Sequence, residues 1–346
     1  MSRFAWIGFI AVSLAACDHS NPSKDITAPE ASVTANTVTR KDLGTMGGTN
    51  AYGTGVNDSG QVTGHSDVNP SGHKAFIWKA GHFTALPNLA GSNTSVANGI
   101  NSLGQVVGYV SITQVNFHAA LWKTPTTVQD LGTLGGPRSI AYAINTAGTV
   151  VGASDITQYQ NAPFIWQNGH MTALPTLGGP DDHFAFAINQ SGVIVGQSET
   201  PLGAHRAVRW QNGSITTLGD LGGGLAFATG INDLGDIVGG SRLPNNQIHA
   251  FLIPHTTGVM QDLGVLPGGV SSQATGINNQ GQIVGFATTA SGPNHGFSWK
   301  NGVMTDLGTI GGTFSQANAV NNKGRIAGFG HTAQIVNHVI VWNVTP

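Results

Sequence analysis

The phrase INNQGQIVG at residues 277–285 recurs along the chain, as VNDSGQVTG from 56, INSLGQVVG from 100 and INQSGVIVG from 188. Aligned on the asparagine, the repeats place Asn57, Asn101, Asn145, Asn189, Asn232, Asn278 and Asn321 at steps of 44, 44, 44, 43, 46 and 43 residues. A unit of that length is a single supersecondary motif that must stack on its neighbours to bury a core, so the fold is an array or a propeller. Twenty-one residues after each asparagine stands Trp78, Trp122, Trp166, Trp210, Ile253, Trp299 or Trp342, without a change of offset.

Each unit divides into four short strand-like runs. The first, as in residues 272–278, alternates small and larger side chains with the two-residue period of a strand. Asn-x-x-Gly then forms a turn, with Gly supplying the positive φ that closes a hairpin. A second apolar run follows, then a polar loop, then a third run that ends on the tryptophan. A second turn, Asn168-Gly169, Asn212-Gly213 or Asn301-Gly302, leads into the fourth. Four antiparallel strands in about 44 residues make one propeller blade. A parallel β-helix of two coils per repeat is the rival architecture. The two halves of the unit do not resemble each other, and the tight turns specify hairpins, so the expectation is an all-β, seven-bladed β-propeller over residues 38–346.

Side-chain size sets the order of strands within a blade. Four residues before each asparagine lies Gly53, Ala97, Ala141, Ala185, Ala228, Ala274 or Ala317, as suits an innermost strand where blades crowd together. The larger apolar groups belong further out, where blades diverge. The last unit ends after its third strand, while a spare fourth strand, Thr39-Arg-Lys-Asp-Leu-Gly44, precedes the first unit. That strand is expected to complete the seventh blade and close the ring.

The pattern over residues 39–346 resembles the HAF-repeat family of probable extracellular bacterial proteins. His249-Ala250-Phe251 matches literally; His118, His295 and His338 head near matches, and Lys74, Ala162 and Arg206 stand in the other units. The resemblance implies an extracellular setting and lends no activity.

The beginning of the chain agrees with export. Arg3, the apolar run from Phe4 to Ala16 and Leu14-Ala15-Ala16-Cys17 have the layout of a secretory signal peptide over residues 1–16, too short to span a bilayer. LAAC resembles the bacterial lipobox, which implies lipid attachment at Cys17, the single cysteine. The polar, proline-containing segment up to residue 37 reads as a tether. The address expected is therefore the bacterial cell envelope, facing the periplasm or the cell surface, with the membrane as partner through the lipid.

Composition removes several function classes. Charged residues make up 9% of the chain and the net charge is −2, so no basic field exists to hold nucleic acid. The third-strand histidines sit on different blades and cannot converge on one ion. Within each blade a structural hydrogen bond is expected of them, and the recurring Asp42, Asp130, Asp262 and Asp306 read as turn residues. The LGG segments (134–136, 177–179) lack the Lys-Ser/Thr and helix of a phosphate loop. Neither a metal nor a cofactor is expected.

One local break stands out. Arg138 in one connector and Asp181, Asp182 and His183 in the next gather polar groups near the channel mouth. They are the candidate ligand-binding residues, for a cation, a sugar hydroxyl or an acidic group; the alternative is a surface Arg138–Asp182 ion pair. The functional expectation is a monomeric, non-catalytic binding or scaffold propeller, with a surface protein or glycan as partner. A secreted propeller enzyme acting on glycans or peptides is the second reading.

Overall fold

Every Asn-x-x-Gly phrase turns the chain between the first and second strands of a blade. In the first unit Gly60 takes φ 76° and its N–H bonds the Asn57 carbonyl at 2.9 Å. The computed structural model describes residues 36–68, 72–113 and 115–345. The expected signal peptide, Cys17 and the tether up to residue 35 lie outside them. The described residues form seven four-stranded antiparallel sheets, six of them from consecutive strands. Blades 1 to 6 span residues 51–85, 95–130, 139–173, 184–217, 226–262 and 272–306. First strands of successive blades contact one another right round the ring, and the first strand of blade 7 contacts that of blade 1. The chain is a closed seven-bladed β-propeller.

Blade 7 is composite. Its first three strands, Gly311–Val320, Arg325–Thr332 and Asn337–Thr345, come from the C-terminus, and the fourth is Thr37–Gly44. The closing ladder runs from Thr37 opposite Thr345 to Gly44 opposite Val339. A side-chain clamp reinforces it: His338 Nδ1 lies 2.8 Å from Asp42, whose Oδ1 also accepts the Gly44 N–H at 2.7 Å. The same clamp joins third and fourth strands in blades 2, 5 and 6, as His118–Asp130, His249–Asp262 and His295–Asp306, each at 2.9 Å. The recurring histidine and aspartate are thus partners within a blade, as expected for the histidines.

The asparagines do more than turn the chain. Each side-chain oxygen accepts the backbone N–H four residues on, while each side-chain nitrogen reaches the neighbouring blade. Asn57 Nδ2 donates to the Asn101 carbonyl at 3.1 Å and Asn101 to the Asn145 carbonyl at 3.0 Å. The series continues blade by blade. Asn321 completes it by donating to the Asn57 carbonyl at 2.8 Å. All seven asparagines are buried, at 5% exposure or less.

A second tier lies three residues earlier. Each first strand carries a bulge there, seen as the register shift between Gly53 and Gly55 in blade 1. The bulged residue turns its side chain to the next blade: Thr54 bonds the Ala97 carbonyl at 2.9 Å and Asn98 the Ala141 carbonyl at 2.9 Å. Thr229, Thr275 and Asn318 repeat the bond, the last across the closing seam to Gly53. Beside the bulge the first and second strands of a blade approach closely, which explains the final Gly of the phrase. A Cβ on Gly64 would run into the Tyr52 carbonyl oxygen, and Gly108, Gly152 and Gly196 are confined in the same way. Small first-strand residues are fully buried between blades, and Trp122, Trp210 and Trp342 fill the wider gaps further out.

Deleting residues 37–44 removes the fourth strand of blade 7 and the Asp42 clamp. The expected loss of unfolding stability is on the order of 5 kcal/mol, at about 1 kcal/mol for each lost ladder hydrogen bond plus the apolar cover. Chemical denaturation of parent and truncation checks this, and equal midpoints contradict the closure.

Candidate functional site

Connectors between blades deliver the chain to the start of each innermost strand, so they lie on the face opposite the asparagine turns. There the four sequence candidates fall into one neighbourhood between blades 3 and 4, but with partners of their own. Arg138 Nε bonds Asp155 Oδ2 at 2.8 Å, with side-chain exposures of 12% and 1%. Asp155 closes the second strand of its blade, and its N–H bonds the Arg138 carbonyl at 2.8 Å. Burial pushes the Asp155 carboxyl up, and the Arg138 guanidinium acts against this. Blade 1 builds the same corner with an amide in place of the guanidinium: Asn50 Nδ2 bonds Asp67 Oδ2 at 2.9 Å.

His183 is enclosed. It is 2% exposed, and its Nδ1 lies 2.9 Å from Ser198 Oγ and accepts the Glu199 N–H, which puts the ring proton on Nε2, facing the Gly179 carbonyl at 3.1 Å. Burial pulls its pKa down, so the ring is neutral. Its position is explained by the blade before it. In blades 2, 3, 6 and 7 a serine six residues ahead of the asparagine accepts a third-strand N–H of the preceding blade, as Ser139 Oγ does from Ala119 at 2.7 Å, while blades 1 and 5 have Ala51 and Ala226 there. The corresponding third-strand residue of blade 3 is Pro163, which has no N–H to give, and His183 replaces the serine.

Asp181 and Asp182 remain at the surface of this corner. The Asp181 N–H bonds Glu199 Oε2 at 3.1 Å. Asp182 adopts φ 60°, and its carboxylate lies 3.9 Å from His205 Nε2. The LGG segments are structural: Gly136 and Gly179 donate to the carbonyls of Asp155 and Glu199 at 3.0 Å, and a side chain on either would collide with that backbone. Sequence reasoning missed Asp155 and Glu199, which organise the corner. Their signal was a carboxylate ten residues after the asparagine in units one, three and four, at Asp67, Asp155 and Glu199.

At the centre of the ring the bulge tier is interrupted by Tyr142 and Phe186 on adjacent blades, whose rings lie 5.3 Å apart. The Tyr142 hydroxyl is buried without a hydrogen-bond partner, and burial pushes its pKa up. The centre is therefore asymmetric, with five polar bridges and one aromatic pair.

The fold and its short connectors define a closed propeller with paired surface groups. Solved structures similar to this chain are propellers as well. The β-propeller domain of the Trilobed protease from Pyrococcus furiosus shares 9% identity over 86% of this chain and 97% of that one, with a TM-score of 0.57. It is described as having an open velcro topology, whereas here Thr37–Gly44 closes the last blade. A puromycin-hydrolysing peptidase of Mycobacterium tuberculosis shares 13% identity over 87% of this chain, with a TM-score of 0.54. This chain spans about half of that one, 51%. A puromycin hydrolase matches at 10% identity over 86% of this chain and 52% of its own, with a TM-score of 0.53. At such identities the likeness concerns the fold alone. No protein-family model and no curated protein matches the chain.

Arg138→Ala leaves the Asp155 carboxylate buried without its cation, and unfolding stability is expected to fall by about 3 kcal/mol or more. Arg138→Ala combined with Asp155→Ala is expected to recover much of that loss, while Asp181→Ala stays within about 0.5 kcal/mol of the parent. Urea unfolding of the three variants checks the assignment, and an Arg138→Ala protein as stable as the parent contradicts it.

Proposed function

We propose that the protein is a binding or scaffold propeller of the bacterial cell envelope, anchored through lipid on Cys17 and carrying no reaction of its own. One observation supports the non-catalytic part most: the recurring histidines and aspartates, the side chains best suited to acid–base chemistry, are already employed by the frame. His118, His249, His295 and His338 each clamp an aspartate within a blade, and the same aspartates accept a turn N–H. Arg138 and His183 are likewise committed to the corner between blades 3 and 4. The anchor rests on the LAAC sequence at the end of a short apolar run, and the extracellular setting on the resemblance to HAF-repeat proteins. Repeats that agree in their frame and differ on their faces suit a protein that displays surfaces to a partner protein or glycan.

The experiment is fractionation of cells labelled with radioactive palmitate. The parent is expected in the membrane fraction with label incorporated, and Cys17→Ser unlabelled and released. A parent that takes up no label overturns the anchor. Incubating the purified protein with glycan and peptide panels tests the rest: turnover lost in Asp181→Ala/Asp182→Ala favours the enzyme reading over the scaffold.

A further inference from the structure

Two repeats depart from the pattern at positions that face each other. Twenty residues after the asparagine, five of the other six blades carry Ile77, Leu121, Ile165, Leu252 or Val341; blade 4 carries Arg209. One residue further on, every blade but one carries tryptophan; blade 5 carries Ile253. In blades 2 and 4 the indole spans the gap to the preceding blade, where its Nε1 donates to the Pro87 and Pro175 carbonyls at 2.7 Å. Between blades 4 and 5 there is instead a cavity of about 540 Å³, lined by both Arg209 and Ile253.

The surrounding chain is also modified here. Strands Ile248–Ile253 and Gln261–Asp262 are joined by residues 254–260, where blade 4 makes the same connection with Asn212-Gly213 alone. This longer turn is tied back to the asparagine turn of its own blade: the His255 N–H and Nδ1 meet Asp236 Oδ1 at 2.9 and 2.7 Å. His255 and Gly258 thereby become part of the cavity wall. Leu234 and Val259, 55% and 63% exposed, give this end of the two blades an apolar lip.

The charges in the wall are unequal in their freedom. Asp233 accepts the Gln190 N–H at 3.0 Å and the Asn279 side chain at 2.9 Å, so its carboxylate belongs to the rim. His255 faces its own carboxylate. Arg209 Nε, by contrast, is shut off from solvent with no hydrogen-bond partner, and no ion pair of Arg209 is found among the described residues. A guanidinium nitrogen without an acceptor, in a half-buried wall of mixed polar and apolar residues, is costly to the protein alone, and an anion beside the guanidinium offsets that cost.

We infer that the cavity between blades 4 and 5 is a binding site for a small carboxylate with an apolar body. The planar guanidinium fork fits a carboxylate, and Leu218, Ile231 and Ile253 offer apolar surface to the remainder. One unpaired cation balances a monoanion; a phosphate dianion calls for more positive charge than this wall carries. The volume lies within the range of small-ligand sites. The site opens on the face of the asparagine turns, away from the Arg138 corner, and the inference is independent of the lipid anchor.

The test is isothermal titration of the mature protein with octanoate and phenylacetate, with octanol and octyl phosphate as comparators. The parent is expected to bind at least one carboxylate saturably, at least tenfold more tightly than octanol. Arg209→Leu restores the residue type of five other blades and is expected to weaken carboxylate binding at least tenfold without lowering the melting temperature. Ile253→Trp restores the indole, fills the space and is expected to abolish binding. Absence of saturable carboxylate binding to the parent overturns the inference, as does unchanged affinity in Arg209→Leu or equal affinity for octanol. Tighter binding of octyl phosphate than of either carboxylate overturns the ligand class.

Discussion

A side-chain amide hydrogen bonded to the carbonyl of the next blade, made seven times, is the interaction on which this ring depends. One asparagine performs two tasks with the two ends of one amide. Its oxygen caps a hairpin within the blade, and its nitrogen joins that hairpin to its neighbour, as when Asn278 receives the Gln282 N–H at 2.9 Å and donates to Asn321 at 2.9 Å. Aspartate would serve the turn equally well but has no donor for the neighbouring carbonyl. The repeat never places aspartate there. The small residues follow from the same bond, because a side chain this short reaches across only if the backbones lie close.

The bond also explains how a chain with 9% charged residues holds its blades in register. Apolar packing between blades is non-directional and would tolerate sliding. Hydrogen bonds from the asparagines at all seven junctions, joined at five of them by a second level on the innermost strand, fix the stagger of each blade on the next. Since the asparagines and their carbonyls are buried, losing one partner strands the other without water, which makes each bond costly to break. The outer strands are held differently, by His–Asp clamps that are partly exposed and contribute little individually. Stability is thus concentrated at the centre, and the periphery is free to vary between repeats.

Most of the architecture was legible in the sequence because it repeats. Seven units, hairpin turns with Gly at positive φ, alanines inside, tryptophans outside and the displaced closing strand all follow from periodicity and phase. The second role of the asparagine was not read, since turn chemistry alone accounts for the residue; the clue was the exclusion of aspartate. The connector cluster was found as a concentration of polar residues, yet its pairing depended on Asp155 and Glu199, which lie 17 and 18 residues beyond Arg138 and Asp181 in sequence and beside them in the fold. The cavity was the hardest to see. Arg209 and the Ile253 substitution belong to different repeats, and each alone looks like drift; only the ring sets one against the other. A residual mark was present, for unit five has the longest spacing from its tryptophan position to the next asparagine, 25 residues.

The most direct measurement is on Asn278→Asp, which keeps the oxygen that accepts the Gln280 and Gln282 N–H groups and removes the amide nitrogen that donates to blade 7 and, at 3.4 Å, to Gln282 Oε1 of its own blade. Hydrogen exchange and chemical denaturation at neutral pH report where and how much the ring is weakened. Burying an acceptor against the Asn321 carbonyl is expected to cost on the order of 3 kcal/mol. Exchange is expected to rise in the turn of residues 321–325 on blade 7 as well as on blade 6. A variant as stable as the parent, or one whose lost protection stays within blade 6, contradicts the asparagine ring as the element that holds the blades together.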